Sequence, residues 1–331
     1  MKKRIFVFSN GEVKRRQNTL YFELEDGTKK YIPVENTGEF YFFGEVTINK
    51  KLFEFLNQNE IIVHFFNHFG YYIGSFYPRE HYNSGYMILK QAEFYNTQEK
   101  RIKLAKLFTE GAIANILKVL NYYNNRGVDL SSLIGNIEDL SKNIENITNI
   151  EELMAIEGNI RQIYYKSFNK ILGSPDFEFD ERTKRPPENE LNALISFGNS
   201  LLYVAILSEI YKTHLDPRIG FLHTTNFRRF SLNLDIAEIF KPVIVDRIIF
   251  TLINKRMIQK KHFEEKVGGI YLKENGRRIF VEEFDRRLKT TIQHPKIKRK
   301  VSYQTILRME LYKLEKHLIG EEKYRPFISS W

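Results

Sequence analysis

The sequence predicts an α+β protein, with a strand-rich N-terminal part and a larger helical remainder. Three observations carry that reading. Of the 46 Phe and Tyr residues, 20 fall within the first 90 positions. They stand in short runs (RIFVFS, EFYFFGEV, IIVHFF, YYIGSFY) between turn residues at Asn10-Gly11, Asp26-Gly27, Gly38, Gly44 and Gly70, the pattern of antiparallel strands. Beyond about Gly85 the punctuation stops and apolar residues recur at helical spacing. The expected organisation is a β-domain over 1–88, a linker over 89–97 and a helical domain over 98–331.

Within the first part, FEFLNQ at 53–58 departs from strand patterning and reads as a short helix. Residues 98–124 place Ile102, Ala105, Leu107, Ile113, Ile116, Leu117 and Leu120 at helical spacing, and 136–147 repeat it with Ile137, Leu140, Ile144 and Ile147. Thr148-Asn149-Ile150-Glu151 has the form of a capping box, so a helix is expected from there to about Phe168. The charged, proline-containing stretch 173–188 cannot pack a core and is a loop. A long apolar helix then runs from Glu190 to about Tyr211, stopped by Asp216-Pro217. There is no internal repeat.

Composition narrows the function classes. A chain of 331 residues with 42% hydrophobic content is long for one core and suggests two domains. The net charge of +10 favours a polyanionic partner. Residues 1–90 carry 12 bases and 10 acids, net +2, leaving 39 and 31, net +8, for the remainder, so that partner belongs mainly to the second part. With no cysteine, disulfides, thiolate catalysis and Cys-ligated metals are excluded, and any metal must be held by oxygen and nitrogen. The opening MKKRIFVFSNG has four apolar residues before Ser9, too few for a signal-peptide core. No run is expected to approach the roughly 18 apolar residues of a membrane span. A soluble cytoplasmic protein with no membrane partner is therefore expected.

Glu157, His223 and Glu238 lie 66 and 15 residues apart in the most basic part of the chain. Two carboxylates and an imidazole suit one divalent cation such as Mn²⁺ or Zn²⁺, and a metal beside positive charge suggests phosphodiester chemistry. Glu157 falls on the apolar stripe Leu153, Ile156, Ile160, Ile163 and Tyr164 of its helix, where a carboxylate needs a cation as partner. That cation is a metal, or a nearby Arg or Lys. His223 reads either as a ligand or as a hydrogen-bonded core residue. Asp235 and Glu238 share one helical face, either toward a site or as an acidic surface paired with Arg228, Arg229 or Lys241. Basic clusters at Arg182, Lys184 and Arg185, at Arg228-Arg229, and at 286–300, with seven bases and no acid, read as nucleic-acid contacts or as ordinary surface charge. No Walker loop, GxGxxG, GxSxG or HExxH motif is present.

At these motifs the sequence resembles the CRISPR-associated Cas-one family, the integrase of spacer acquisition. The likeness rests on YIPVENTGEFYFFGEV, HFFNHFGYYIGSFYPRE, MAIEGN, RTKRPPENELNALISFGNSLLY, THLDPRIGFLHTTNFRRFSLNLDIAEIFKP and MELYKLEKHLIGE, in that order over essentially the whole chain. The resemblance implies a sandwich-like β-domain that dimerises and an all-helical catalytic domain. It implies metal ligands at Glu157, His223 and Glu238, binding Mn²⁺ or Mg²⁺, with Asp235 and Asn199 supporting them and Lys241 beside them as a contact to DNA. Many relatives carry Asp at the position of Glu238. The implied activity is metal-dependent cleavage of DNA and joining of fragment 3′-hydroxyl ends to a repeat, on duplex or branched DNA, by a homodimer assembled with the small Cas-two protein. The alternatives are a non-catalytic nucleic-acid scaffold and a metallohydrolase of a small phosphorylated substrate.

Overall fold

The computed structural model describes residues 2–79, 82, 84–225, 230–294 and 297–330. Two compact units, Met1–His81 and Tyr82–Trp331, divide the chain.

The first unit contains β1 (Lys3–Val7), β2 (Gly11–Arg16), β3 (Thr19–Leu24), β4 (Lys29–Ile32), β5 (Thr37–Phe42), β6 (Val46–Thr47), α1 (Lys50–Gln58), β7 (Ile62–Phe66) and β8 (Tyr72–Phe76). They form two four-stranded sheets, ordered β1-β5-β7-β8 and β4-β3-β2-β6. Successive strand residues face opposite ways, so Val7, Phe40, Phe42 and Val63 from one sheet meet Val13, Leu20, Phe22 and Ile32 from the other, with Leu52, Phe55 and Leu56 of α1 closing the core. The expected sandwich is present, but its strands are not all antiparallel. β1 runs parallel to β5, and β5 parallel to β7. A two-residue turn cannot join parallel neighbours; Asn10-Gly11 instead leads into the second sheet, and α1 makes the crossover from β5 to β7.

The second unit is mainly helical: α2 (Gly85–Asn96), α3 (Gln98–Asn124), α4 (Ser131–Ser141), α5 (Ile150–Leu172), α6 (Glu190–Ile210), α7 (Leu232–Phe240) and α8 (Arg247–Asn254). There follow β9 (Phe263–Lys266), β10 (Gly269–Leu272), α9 (Glu274–Lys289), β11 (Thr291–Gln293), β12 (Lys300–Ser302) and α10 (Tyr303–Leu318). Residues 89–97, expected as a linker, are the body of α2 and its cap: Ser84 Oγ accepts the N–H of Met87 to start the helix. Asn149 rather than Thr148 caps α5, accepting from Glu152 N at 2.8 Å. The unit is not all-helical, because β9-β10 and β11-β12 form two small hairpins. The first turns at Val267-Gly268, both at positive φ, as a primed hairpin turn requires.

α6 is buried almost throughout and, at odds with the sequence expectation, is long and apolar enough by length and composition to cross a membrane. Its burial within this unit marks it as a core helix. α7 packs between α6 and α3, and α3 also meets α5; these helices hold the acids and bases described next.

Candidate active site

α7 is the most enclosed of the short helices, and its polar residues face partners rather than water. The Asp235 carboxylate accepts the backbone N–H groups of Phe221, Leu222 and His223 at 2.5, 3.1 and 2.9 Å. It also meets His223 Nδ1 at 2.8 Å. A single carboxylate thus shapes the whole 221–223 segment. The approach depends on Gly220, where a Cβ would stand 2.9 Å from Asp235 Oδ2 and 2.8 Å from the Ser231 carbonyl carbon. With Nδ1 engaged, Nε2 is the ring nitrogen left to bind a ligand.

One turn further along α7, Glu238 is 5% exposed and carries two cations. Arg161 Nη2 donates to its Oε2 at 2.6 Å, and the Lys241 ammonium donates to its Oε1. Arg161 comes from α5, four residues after Glu157, and also bonds Glu157 Oε1 at 3.4 Å through Nε and Nη2. Glu157 is on the inward stripe of α5, as the periodicity indicates, and its side chain retains 22% exposure. The result is a buried chain Glu157–Arg161–Glu238–Lys241 of two negative and two positive groups.

The electrostatics distinguish the two glutamates. Burial, then the charge of Glu238, raises the Glu157 carboxyl above its ordinary range. Burial also opposes charge on Glu238, but Lys241, Arg161 and His223 outweigh it and bring the group down to about 2. For His223, burial works against charge, yet the Asp235 bond and charge prevail and raise the imidazole. Each of the three feels at least one of the others, so they share a neighbourhood.

The donor chemistry fits a hard or borderline divalent cation. Two carboxylates and a neutral imidazole form an O,O,N set, and a histidine whose second nitrogen is fixed by a carboxylate is an oriented ligand. A cation would also relieve the repulsion that raises Glu157. Among the described residues, however, no three His, Asp or Glu groups stand at metal-holding separations, and Arg161 and Lys241 already engage Glu238. Binding requires at least one of those cations to give way.

The remaining sequence candidates divide. Asn199 is buried on α6 with Oδ1 lacking a hydrogen-bond partner. Lys241, expected as a DNA contact, lies inside the charged chain, donating to Glu238. Arg182 donates to Asn192 Oδ1 at 2.9 Å and Ser196 Oγ at 2.8 Å, tying its loop to α6. Arg185 is exposed. Arg228 and Arg229 lie outside the described residues. Of the bases in 286–300, Arg286 and Lys289 pair with Glu283 and Asp285, while Arg287 donates to the Val243 carbonyl at 2.6 Å and lies over the Tyr303 ring. Lys298, Arg299 and Lys300 are exposed.

Sequence reasoning missed two groups and assigned a third only to a basic cluster. Arg161 was detectable as the i+4 partner of a glutamate on an apolar stripe. Asp246, a lone acid in the apolar run VIVDRIIF, is held up at about 7 by burial, against the pull of Arg161. Lys184, although exposed, is depressed by partial burial first and then by Arg182 and Lys241, while Glu238 and Glu157 act on it in the other sense.

A profile described as "CRISPR associated protein Cas1" matches residues 5–286. A curated relative from Thermodesulfovibrio yellowstonii, CRISPR-associated endonuclease Cas1 2, is 60% identical over 331 residues, covering 100% of both chains. The solved structure of a Cas1 protein from Thermotoga maritima superposes with a TM-score of 0.88 at 47% identity, covering 98% of this chain and 99% of that one. A casposase bound to integration product shares the fold at a TM-score of 0.88 and 20% identity, with coverage of 99% and 94%.

Proposed function

The chain belongs to the CRISPR-associated Cas1 family, and from that premise we propose that it is a divalent-metal-dependent DNA endonuclease and integrase of spacer acquisition. The observation that carries the proposal is Asp235, whose carboxylate fixes both the backbone and the ring of His223 beside the Glu157 and Glu238 carboxylates. Glu157, Glu238 and His223 Nε2 would hold Mn²⁺ or Mg²⁺. When bound, the cation supplies Lewis-acid polarisation of the scissile phosphate.

The chain's own residues do the rest. Asp235 keeps the imidazole in one orientation. Lys241 and Arg161, once released from Glu238, offer cationic donors to phosphate oxygens where charge develops. The attacking oxygen is the 3′-hydroxyl of a DNA fragment, or water in hydrolysis: it gives up a proton to solvent as its bond to phosphorus forms, the bond to the repeat strand's 3′-oxygen breaks, and that leaving oxygen takes up a proton. No protein nucleophile is needed. By family resemblance the working form is a cytoplasmic homodimer joined through its β-domains and assembled with the small Cas-two protein on duplex or branched DNA.

The deciding assay is strand transfer and cleavage on branched DNA with Mn²⁺, Mg²⁺ or chelator. Activity that persists in chelator defeats the proposal. A non-catalytic DNA scaffold is the second reading, favoured by the fact that Arg161 and Lys241 already neutralise the two glutamates. It requires equal DNA binding with and without metal, and no strand transfer.

A further inference from the structure

α7 ends where its hydrogen-bond ladder is weakest. Pro242 has no N–H to donate, and Pro242–Asp246 continues as a π turn rather than as α-helix. Glu238 lies in the last turn of α7, four residues before Pro242, so its position depends on what holds that turn from outside.

The structure provides one such support, from α3. Asn115 is fully buried. Its Nδ2 donates to the Ile239 carbonyl at 2.9 Å and to the Phe327 carbonyl at 2.9 Å, and its Oδ1 accepts from Ser329 N at 2.8 Å. One amide therefore joins the residue after Glu238 to the irregular segment that follows α10. That segment is fixed along its length. Tyr324 OH and Phe327 N both donate to Glu310 Oε1, at 2.5 and 3.0 Å, and the Phe327 ring stacks on Phe240 with centroids 5.4 Å apart. Pro326 packs so close to α3 that a Cβ on Gly111 would stand 2.5 Å from its ring.

We propose that residues 324–330 brace the active-site helix, and that Asn115 is the positioning residue through which the brace sets Glu238. Neither touches DNA or the reacting atoms. The inference rests on the metal-dependent reading of the site, and its test separates the two. Asn115→Ala removes both donated bonds and the accepted one, while Asn115→Asp keeps only the bond from Ser329.

In the metal-free full-length protein, hydrogen exchange of residues 232–246 is expected to accelerate in both variants while the β-domain is unchanged. Mn²⁺ affinity, read by electron paramagnetic resonance, should fall about tenfold, and kcat at saturating Mn²⁺ by about tenfold or more, with KM for DNA unaltered. A melting temperature that falls while Mn²⁺ affinity and kcat per folded molecule stay at wild-type values overturns the positioning role. If Asn115→Ala does not fold, Phe327→Leu, which keeps an apolar side chain against Phe240, is judged by the same criteria. A wild-type chain that neither binds Mn²⁺ nor cleaves DNA defeats the site reading, whereas unchanged exchange at 232–246 defeats the brace alone.

Discussion

Asp235 holds His223 twice, accepting its backbone N–H at 2.9 Å and meeting its Nδ1 at 2.8 Å. Asp235→Asn keeps the shape of the carboxylate but loses its charge, so strand transfer is expected to fall by about 10–100-fold, the usual cost of removing a residue that orients a metal ligand. Asp235→Ala additionally orphans three buried backbone N–H groups, at about 1–3 kcal/mol each before relaxation. An asparagine amide keeps one accepting oxygen and so orphans at least one of these N–H groups, whereas alanine orphans all three; melting should therefore rank the variants, with the alanine protein unfolding at the lower temperature.

Glu157→Ala, His223→Ala and Glu238→Ala should each abolish cleavage and strand transfer in Mn²⁺ while leaving a folded chain. The Glu238 variant is expected to be the least stable of the three, because Lys241 loses its counter-ion and Arg161 the nearer of its two. Activity assays paired with thermal melts check this, and a ligand variant with full activity defeats its assignment.

The α+β class and the helical stripes were legible because each rests on local periodicity, whereas the sandwich was implied by the family resemblance. Strand direction was not, although the helix at 53–58 was itself the sign of a parallel crossover. At the site, Glu157 stood out because a carboxylate on an apolar stripe conflicts with burial unless it is paired. Its partner Arg161 is one turn away, but the second bond, Arg161 to Glu238, spans 77 positions and exists only through the packing of α5 with α7. The same limit hid the internal use of Arg182 and Arg287, since a run of bases in sequence does not show which of them the fold consumes.

That distinction predicts which bases meet DNA. Reversing Lys298, Arg299 and Lys300 together to Glu should reduce the slope of log affinity against log salt by about 0.9 for each phosphate that is no longer neutralised. Reversing Arg286 or Lys289, which pair with Glu283 and Asp285, should change the slope little. Arg182→Glu should lower stability, because its guanidinium binds Asn192 and Ser196. Salt titrations of duplex binding decide between them, and an unchanged slope in the triple variant moves the DNA surface elsewhere.

Asp246 supplies a pH test of the metal-free fold. Its carboxyl lies near 3.8 when unfolded and is held at about 7 by burial in the native state, so the native protein binds more protons than the unfolded one between those values. The stability it contributes is complete below about pH 4 and is lost as pH rises toward 7 and beyond. Asp246→Asn mimics the protonated group and should remove that decline, gaining on the order of 4 kcal/mol over wild type at pH 8 and little at pH 4. Denaturation in chelator at both pH values measures it, and an equal effect at the two shows that Asp246 is not the group titrating.

Lys241 affects the site in two opposing ways, which makes its substitution the sharpest test of how the centre opens. Its ammonium engages Glu238, and a divalent cation at that carboxylate must compete with it. Lys241→Gln removes the competing charge, so the Mn²⁺ concentration for half-maximal binding should fall severalfold. The same change removes a cation from the place where phosphate charge develops, and kcat should drop by about 10²-fold. Tighter metal with slower chemistry is the expected signature. If Lys241→Gln weakens Mn²⁺ binding, the lysine supports the ligand rather than competing for it. Arg161, which contacts both glutamates, then becomes the cation that must yield, and Arg161→Gln should show the tighter binding instead.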